Sequence, residues 1–235
     1  MPTAKKALIF FARVPKPGRT KTRLLPDLSP DQAGRVAQAL ILDTLNATAL
    51  LKGVKRILAC DSTRRDPFFK GLADRFGLTL IDQEGSNLGD RMRNAIAEAF
   101  RLGLDPAVVV GTDLPTLPVA SIQDAFKQLE KRSQTPPLVL GPSTDGGYYL
   151  IGCSGSVPPV FDGIDWGTER VLEQTLARIA NNDLNLTLLP FWYDVDRLQD
   201  LRFLSEHLRY LERKTGKSVA PETARVLKML DLDAL

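Results

Sequence analysis

Short apolar runs that alternate with amphipathic segments constrain the fold of this chain more than any other feature. Runs such as residues 7–11 and 107–110 have the length and composition of buried strands. The segments between them, such as residues 30–51 and 87–102, repeat apolar side chains every three or four positions, which is typical of helices that pack one face on a core. Because strands separated by helices form βαβ units, the sequence predicts an α/β fold with a mainly parallel sheet.

The same pattern continues along the whole chain. Further strands are predicted at residues 56–60, 78–81, 138–140, 148–152 and 184–190, and further helices at residues 66–75, 119–131, 168–181, 198–214 and 221–230. A length of 235 residues fits one large domain or two small ones. Since no repeat, low-complexity tract or linker interrupts the pattern, we expect residues 1–235 to form a single domain.

Hydropathy and cysteine usage indicate a soluble cytoplasmic protein. No run of eighteen apolar residues is present, so we expect no membrane span. The apolar stretch near the N-terminus is only as long as a strand and no small-residue cleavage site follows it, so we expect no signal peptide. Cys60 and Cys153 lie in separate apolar runs, which favours buried free thiols over a disulfide.

A basic loop follows the first predicted strand. Residues 13–23 contain no acid and five cationic side chains, which are Arg13, Lys16, Arg19, Lys21 and Arg23. Ligands of open α/β sheets bind beyond the carboxyl ends of the strands, and a cluster of like charges repels itself unless an anion is present. The loop therefore predicts a phosphate site, with a solvated basic turn as the alternative. The net charge is only +3, which favours a small anionic ligand over a nucleic acid.

Three aspartates follow predicted strands. Asp113 comes after the strand at residues 107–110, and Asp194 and Asp196 follow the strand at residues 184–190. Mg²⁺ and Mn²⁺ bind oxygen ligands and need only one or two carboxylates when substrate phosphates supply the rest. We therefore predict Asp113 and Asp196 as metal ligands, with Asp194 as a supporting substrate contact. The alternative is that these residues cap the turn or helix that follows them.

Two further loops are candidates for substrate binding. Asp145 precedes two glycines at the entry to the strand at residues 148–152, and glycine permits a ligand to approach the backbone closely. A hairpin turn explains the same glycines equally well. Trp166 lies in a loop, where it either packs over an acceptor or belongs to the core or its rim. The predicted substrate-binding residues in these loops are Asp145, Gly146, Gly147, Tyr148, Trp166 and Thr168.

A polar loop at residues 83–92 opens a predicted helix. Helix N-termini attract anions and offer free backbone donors, so this loop is predicted to bind a base, a ribose or the acceptor. Its candidate contacts are Gln83, Gly89 and Arg91. In the alternative, Asn87 or Ser86 is a plain helix cap and Arg91 pairs with a nearby acid.

Several common nucleotide and hydrolase motifs are absent from the sequence. It contains no G-x-x-x-x-G-K-[ST], G-x-G-x-x-G, H-E-x-x-H or G-x-S-x-G. P-loop, dinucleotide-binding, zinc-protease and hydrolase-elbow interpretations are therefore excluded.

Six segments, taken in order, resemble the nucleotide-diphospho-sugar transferase superfamily. They are FARVPKPGRTKTRL, QEGSNLGDRM, VVVGTDLPTLP, GPSTDGGYYLIG, FDGIDWGT and YDVDRLQDL, and the resemblance covers about residues 8–204. More closely, they resemble its glycosyltransferase-A-like microbial branch, which includes the proposed arsenosugar-biosynthesis glycosyltransferases and the radical-SAM/selenodomain-associated transferases. The loop with Lys16-Pro17 and Lys21-Thr22-Arg23-Leu24 is also similar to that of phospholactate guanylyltransferases.

The resemblance implies a GT-A (Rossmann-like) three-layer sandwich with a mainly parallel mixed sheet. It also implies a nucleotide held by the N-terminal loop and a divalent cation at Asp113. The sequence departs from typical glycosyltransferases in having, after the strand at residues 107–110, a single aspartate in place of D-x-D. It departs from sugar-phosphate nucleotidyltransferases in lacking their G-x-G-x-R loop. The nucleotide-binding residues predicted from the loops and the resemblance are Phe11, Ala12, Arg13, Lys16, Gly18, Lys21, Arg23, Gln83, Gly89, Arg91 and Thr112.

Two transfer reactions fit these residues. In nucleotidyl transfer, an acceptor phosphate attacks the α-phosphorus of a nucleoside triphosphate, while the loop cations and Mg²⁺ or Mn²⁺ neutralise the phosphates. In glycosyl transfer, a nucleoside diphosphate leaves its sugar and Asp145 activates the acceptor hydroxyl. The predicted catalytic residues are Lys21, Arg23, Asp113 and Asp145.

We therefore expect a metal-dependent transferase that acts on a nucleotide and a small acceptor. The charge of the basic loop suits a triphosphate and favours nucleotidyl transfer slightly, whereas the family resemblance favours glycosyl transfer from a nucleotide sugar. A nucleotide-binding module without catalysis is the third alternative.

Overall fold

Strands and helices alternate along the chain, as the sequence predicts. The computed structural model describes residues 5–131, 133–230 and 232. Within this part the strands are β1 (Lys6–Ala12), β2 (Val54–Cys60), β3 (Thr79–Asp82), β4 (Ala107–Gly111), β5 (Pro137–Pro142), β6 (Tyr148–Cys153) and β7 (Asn185–Leu188). The helices are α1 (Pro30–Ala47), α2 (Pro67–Phe76), α3 (Leu88–Arg101), α4 (Val119–Leu129), α5 (Val171–Asn181), α6 (Leu198–Thr215) and α7 (Pro221–Leu230), and Thr22–Leu24 form a 3₁₀ turn. None of the described helices combines the length and the apolar character that a membrane crossing requires.

The strands form one mixed sheet in the order β3-β2-β1-β4-β6-β5-β7. β1 pairs in parallel with β2 and β4, β2 with β3, and β5 with β7. β6 runs antiparallel to both of its neighbours, β4 and β5. The predicted α/β fold with a mainly parallel mixed sheet is therefore confirmed, and β4 is the middle strand of the sheet.

Contacts between Cα atoms divide the chain into two compact units. The sheet unit contains Met1–Ala12, Leu51–Gly111 and Pro118–Tyr193, and with them the seven strands and helices α2 to α5. The loop unit contains Arg13–Leu50, Thr112–Leu117 and Asp194–Leu235, and with them the basic loop and helices α1, α6 and α7. The single domain expected for residues 1–235 stays a prediction.

Apolar side chains on both faces of β1 are buried. Ala7 and Ile9 join a core that includes side chains of α3 and α5. Leu8 and Phe10, which point to the opposite face, are also fully buried. Strands that are buried on both faces have continuous apolar sequences, which explains why residues 7–11 show no alternation with polar residues.

Helix α1 begins where the sequence predicts and ends earlier. The Ser29 hydroxyl accepts the Gln32 N–H at 3.3 Å, and the Gln32 side chain accepts the Ser29 N–H at 2.8 Å, which is a capping box. The helix ends at Ala47, although the apolar periodicity predicts residue 51. The Thr48 hydroxyl donates to two carbonyl oxygens of the preceding turn, and such local side-chain bonds compete with continuation of a helix.

In the loop unit, α7 packs on α1 and is held there by a buried acid. Asp43 of α1 is 1% exposed, and its carboxylate oxygens accept the backbone N–H groups of Glu222 at 3.2 Å and Thr223 at 2.7 Å. These N–H groups belong to the first turn of α7, where a helix has no internal acceptors. Burial raises the pKa of Asp43, although its hydrogen bonds to α7 oppose this change. Asp43 therefore caps α7 from a distant part of the sequence.

Candidate functional site

Lys21 of the basic loop lies between two aspartates of the loop unit. Its Nζ atom is 2.8 Å from Asp113 Oδ2 and 2.8 Å from Asp196 Oδ1, and it donates to the Val195 carbonyl oxygen at 2.6 Å. The Lys21 side chain is 5% exposed, whereas those of Asp113 and Asp196 are 42% and 32% exposed. The structure thus brings the basic loop and both predicted metal ligands together.

Arg23 adds a second cation to this group. Its Nη1 atom is 3.0 Å from Asp196 Oδ2, and its side chain is half exposed. We call the four side chains of Lys21, Arg23, Asp113 and Asp196 the Lys21 cluster; their charges sum to zero.

The pKa values of this cluster reflect the pairing of its charges. Burial alone would lower the pKa of Lys21, but the charges of Asp113 and Asp196 outweigh burial and raise it. Burial alone would raise the pKa of Asp196, but Lys21 and then Arg23 outweigh it and lower the pKa below its ordinary value. Lys21 and Asp196 are therefore both charged at neutral pH.

The basic loop is held in shape by its own hydrogen bonds. The buried Thr20 hydroxyl donates to the Val14 carbonyl oxygen at 2.7 Å and accepts the Lys16 N–H at 3.2 Å. Lys21 then adopts a left-handed backbone conformation with φ of 53°, directly before the 3₁₀ turn, whose Leu24 is fully buried. Residues with a side chain rarely adopt this conformation, so the surrounding contacts fix the backbone at Lys21.

Backbone hydrogen bonds position the two aspartates of the Lys21 cluster. The Val195 N–H donates to the Asp113 carbonyl oxygen at 3.3 Å. The Asp200 carboxylate accepts the N–H of Asp196 at 3.0 Å and that of Arg197 at 2.7 Å, so that Asp200 caps the start of α6. The alternative interpretation of Asp196 as a helix cap is therefore wrong, because its side chain pairs with cations.

The other predicted site residues of the loop unit differ in exposure. Arg13, Lys16 and Gly18 are exposed on the basic loop, and Asp194 is half-buried. Thr112 is buried, and its carbonyl oxygen accepts the hydroxyl of Thr44 in α1 at 3.2 Å. The three exposed residues of the basic loop are accessible to an anion, whereas the Thr112 side chain is buried within the loop unit.

In the sheet unit, Gln83 joins the ends of two parallel strands. Its Nε2 atom donates to the carbonyl oxygens of Ala59 at 2.9 Å and Ala12 at 3.3 Å, which lie at the carboxyl ends of β2 and β1. Ala12 is buried and Phe11 is half-buried. Gln83 and Ala12 thus lie at the sheet edge where ligands of such folds bind, and their contact with a nucleotide stays a prediction.

The N-terminus of α3 carries its own acid. The Asp90 carboxylate accepts the Ser86 hydroxyl and the Asn87 side-chain amide, and the hydrogen bond from Ser86 lowers the pKa of Asp90. Asn87 accepts the Asp90 N–H at 2.9 Å, as the helix-cap alternative describes, and Arg91 donates to the Gly85 carbonyl oxygen at 3.2 Å. A negative charge therefore already occupies this helix terminus, where the sequence predicts a ligand contact.

Trp166 connects two of the predicted substrate loops in the sheet unit. Its indole covers Gly89 so closely that a side chain at this position would overlap the ring. The Tyr148 ring meets the indole edge-on with 6.3 Å between the centroids. Gly89, Tyr148 and Trp166 thus form one contact group in the sheet unit.

The loop between β5 and β6 forms a tight turn at Asp145. The Asp145 Oδ1 atom accepts the Gly147 N–H at 2.9 Å, and the residue is exposed. Gly146 has a φ of 89°, its carbonyl oxygen accepts the Leu172 N–H at 2.8 Å, and a Cβ would overlap the Glu169 backbone. The β5–β6 pair agrees with the hairpin alternative. Thr168, in the adjoining segment, donates its hydroxyl to the Asp165 carbonyl oxygen at 2.8 Å.

A family model defines the family of the chain. Residues 44–168, just over half of the chain, match the family described as uncharacterized protein conserved in bacteria (DUF2064). The chain belongs to the DUF2064 family. None of the curated protein sequences compared with this DUF2064 chain matches it.

Solved structures of nucleotide-related transferases share the fold of the DUF2064 chain. A proposed nucleotide-diphospho-sugar transferase from Desulfovibrio desulfuricans G20 is 29% identical with a TM-score of 0.81, over 97% of this chain and 99% of that one. A cytidylyltransferase from Leptospira borgpetersenii serovar Hardjo-bovis is 14% identical with a TM-score of 0.60, over 97% and 96%. CMP:2-keto-3-deoxy-manno-octonic acid synthetase complexed with CTP is 14% identical with a TM-score of 0.53, over 89% and 99%. The predicted resemblance to the superfamily and its fold class are confirmed.

Two residues at the site of this DUF2064 chain were not predicted from the sequence. Asp200 is an acid three residues after Arg197, the residue that precedes α6. This spacing is typical of a capping interaction, so its cap of α6 was detectable. The Val195 carbonyl group, which accepts a hydrogen bond from Lys21, carries no signal, because every residue has one. The expectation of free buried thiols at Cys60 and Cys153 is confirmed.

The contact between Gly89 and Trp166 gives a stability prediction. Gly89→Ala is expected to lower the free energy of unfolding by about 1–3 kcal/mol, as overpacking of a well-packed site does. The matched control is Gly71→Ala in α2, where nothing lies within 4 Å of the added Cβ. There we expect a gain of about 0.5–1 kcal/mol from helix propensity. Thermal unfolding followed by circular dichroism measures the change in stability of each variant. Equal changes in the two variants would contradict the packing of Trp166 on Gly89.

Proposed function

We propose that this DUF2064 protein is a nucleotide-dependent transferase whose Lys21 cluster holds the phosphates of the nucleotide. One observation supports the proposal: Lys21 pairs with both Asp113 and Asp196, and Arg23 pairs with Asp196. A nucleotide site needs cations for phosphate oxygens and a carboxylate for a divalent cation, and this cluster supplies both. The similarity to a proposed nucleotide-diphospho-sugar transferase supports the same class of enzyme.

Asp113 is the better of the two aspartates as a ligand for Mg²⁺ or Mn²⁺. Among the described residues only Lys21 contacts its carboxylate, through Oδ2, whereas Asp196 has a cation on each oxygen. No three acidic, histidine or cysteine side chains of residues 5–131, 133–230 and 232 lie close enough to hold a metal by themselves. The carboxylate oxygens of Asp113 and Asp196 are the ligand type that Mg²⁺ and Mn²⁺ prefer, and such a cation would offset the charge of the phosphates.

Arg23 is suited to bind phosphate oxygens. Its side chain is half exposed and only Nη1 is paired with Asp196, which leaves other N–H groups of the guanidinium for a phosphate. Lys16 and Arg19 are exposed on the same loop. This concentration of positive charge suits a triphosphate, so nucleotidyl transfer is the reaction we favour. An acceptor phosphate oxygen attacks the α-phosphorus, the bond from α-phosphorus to the bridging oxygen breaks, and pyrophosphate leaves.

Glycosyl transfer is the second candidate. It is favoured by the proposed nucleotide-diphospho-sugar transferase, which is 29% identical, and by the exposed carboxylate of Asp145 in the sheet unit. In this reaction Asp145 removes the proton of an acceptor hydroxyl, whose oxygen attacks the sugar carbon, and the nucleoside diphosphate leaves.

Product analysis distinguishes these reactions. Purified protein with Mg²⁺ or Mn²⁺ is incubated with ATP, CTP, GTP or UTP and a mixture of sugar 1-phosphates, or with UDP- and GDP-sugars and a mixture of hydroxylated acceptors. Nucleotidyl transfer predicts release of pyrophosphate, and glycosyl transfer predicts release of nucleoside diphosphate. Binding of a nucleotide without either product would support the non-catalytic alternative, and a protein that binds no nucleotide would contradict the proposal.

The role of Arg23 gives a prediction about affinity. Arg23→Ala is expected to weaken binding of a nucleoside triphosphate by roughly 1–3 kcal/mol, because charge-assisted hydrogen bonds to phosphate are lost. Isothermal titration calorimetry measures the change. The control is Lys217→Ala, which removes an exposed cation of the loop unit outside the Lys21 cluster and should leave the affinity as it is. Equal affinities of the two variants would remove Arg23 from the phosphate site.

A further inference from the structure

We infer that Lys21 is a positioning residue that holds Asp113 and Asp196 in place, and that it does not itself bind the nucleotide phosphates. The inference rests on the proposed function and deepens it, because it assigns phosphate binding to Arg23 and its exposed neighbours. It also revises the sequence-based expectation, in which Lys21 is a phosphate ligand.

The hydrogen-bond donors of Lys21 are already fully used. An ammonium group has three N–H donors, and the Lys21 Nζ atom lies within 2.8 Å of three acceptors. These acceptors are one oxygen each of Asp113 and Asp196 and the carbonyl oxygen of Val195. A phosphate oxygen would have to displace one of them, and the displaced group would lose a short bond to a cation.

Burial separates Lys21 from the other cations of its loop. Its side chain is 5% exposed, whereas that of Arg23 is 51% exposed and Lys16 and Arg19 are also exposed. A ligand that arrives from solvent therefore meets Arg23 before it meets Lys21. The carboxylates of Asp113 and Asp196 are more exposed than the lysine that joins them.

The backbone at Lys21 supports a role for its side chain within the protein. The left-handed conformation, with φ of 53°, favours glycine or asparagine over lysine. A lysine at this position therefore indicates that its side chain compensates for an unfavourable backbone. The compensation comes from contacts with Asp113, Val195 and Asp196, which are far from Lys21 in sequence.

Charge-balanced variants test the inference with inorganic tripolyphosphate as the probe in metal-free buffer. Lys21→Met leaves Asp113 uncompensated and is expected to weaken tripolyphosphate binding about tenfold by repulsion alone. Lys21→Met combined with Asp113→Asn restores the charge sum of the cluster to zero. If Lys21 acts only through the aspartates, calorimetry will show affinity within about threefold of the wild type for this double variant, since repulsion is removed.

A second charge-balanced pair is the matched control. Arg23→Met combined with Asp196→Asn also keeps the charge sum at zero, but it removes the exposed guanidinium. Tripolyphosphate binding by this double variant is expected to stay about tenfold or more below the wild type, because a phosphate contact is lost. Thermal unfolding of each variant shows whether it is folded.

Titration with Mn²⁺, followed by electron paramagnetic resonance without nucleotide, gives an independent measurement. If Lys21 orders the two carboxylates, Lys21→Met is expected to weaken Mn²⁺ binding about tenfold, whereas removal of a cation that only binds phosphate would tighten it by loss of repulsion. Lys217→Met is the control and should bind Mn²⁺ as the wild type does.

Two results would overturn the inference. One is a Lys21→Met/Asp113→Asn variant that binds tripolyphosphate as weakly as Lys21→Met. The other is a Lys21→Met variant that binds Mn²⁺ as tightly as the wild type or more tightly. A wild-type protein that binds no tripolyphosphate would instead contradict the proposed phosphate site, and the Mn²⁺ titration then decides the role of Lys21.

Discussion

Replacement of Asp113 by asparagine is expected to lower metal-dependent turnover about a hundred- to a thousandfold, because a bound cation supplies several kcal/mol of charge stabilisation. Asparagine keeps the shape of the side chain and an oxygen that accepts a hydrogen bond from Lys21, but it removes the negative charge that attracts a divalent cation. The release of pyrophosphate or nucleoside diphosphate, whichever the wild type shows, is the measurement.

The melting temperature of the Asp113→Asn variant is expected to stay close to that of the wild type. The side chain is 42% exposed, so no buried polar atom is left without a partner by the change. Asp27→Asn is the matched control, since Asp27 is an exposed aspartate of the same unit near the basic loop. Full activity of Asp113→Asn would remove Asp113 as a metal ligand, and equal losses in both variants would indicate a general effect of charge.

The second large effect is expected for the stability of the loop unit. Asp43→Ala should lower the free energy of unfolding by about 2–4 kcal/mol, because two N–H groups of α7, one buried and one partly buried, lose their acceptor. Asp43→Asn keeps one acceptor oxygen and should lose about half as much. Urea denaturation followed by circular dichroism measures these changes.

An exposed acid on the same helix provides the control for Asp43. Asp31 lies in the first turn of α1, and its replacement by alanine should cost less than about 1 kcal/mol, the usual size of a charge effect at a helix terminus. If Asp43→Ala were as stable as Asp31→Ala, α7 would not depend on Asp43 for its cap.

Local features of the fold were predictable from the sequence. The continuous apolar runs of β1 and β4 predict strands buried on both faces, and the apolar periodicity from residue 30 onwards predicts the start of α1. The end of α1 was predicted four residues too late. Apolar periodicity carries no information about the hydrogen bonds that the Thr48 hydroxyl donates to the preceding turn. Sequence patterns report propensity, whereas the end of a helix depends on individual side-chain contacts.

The candidate site was predictable in its residue types but not in its pairings. The charge pattern of the basic loop and the positions of Asp113 and Asp196 after strands single out these residues. The sequence does not show that Lys21 joins them, because Lys21 and Asp196 are 175 residues apart and only the folded chain brings them together. For the same reason Lys21 and Arg23 look equivalent in the sequence, although one is buried and the other is half exposed.

The reversed direction of β6 has a consequence for which part of the sheet unit can vary. Since β6 is antiparallel to both β4 and β5, the turn at residues 143–147 lies at the edge where the parallel strands end. Residues at the tip of this turn, such as Asp145, make none of the pairings that hold the sheet. Evolution can therefore exchange or lengthen the tip without disturbing the strands, provided that the glycine beside Glu169 is kept. The hairpin is therefore a segment in which relatives can differ in sequence and length while they keep the same sheet.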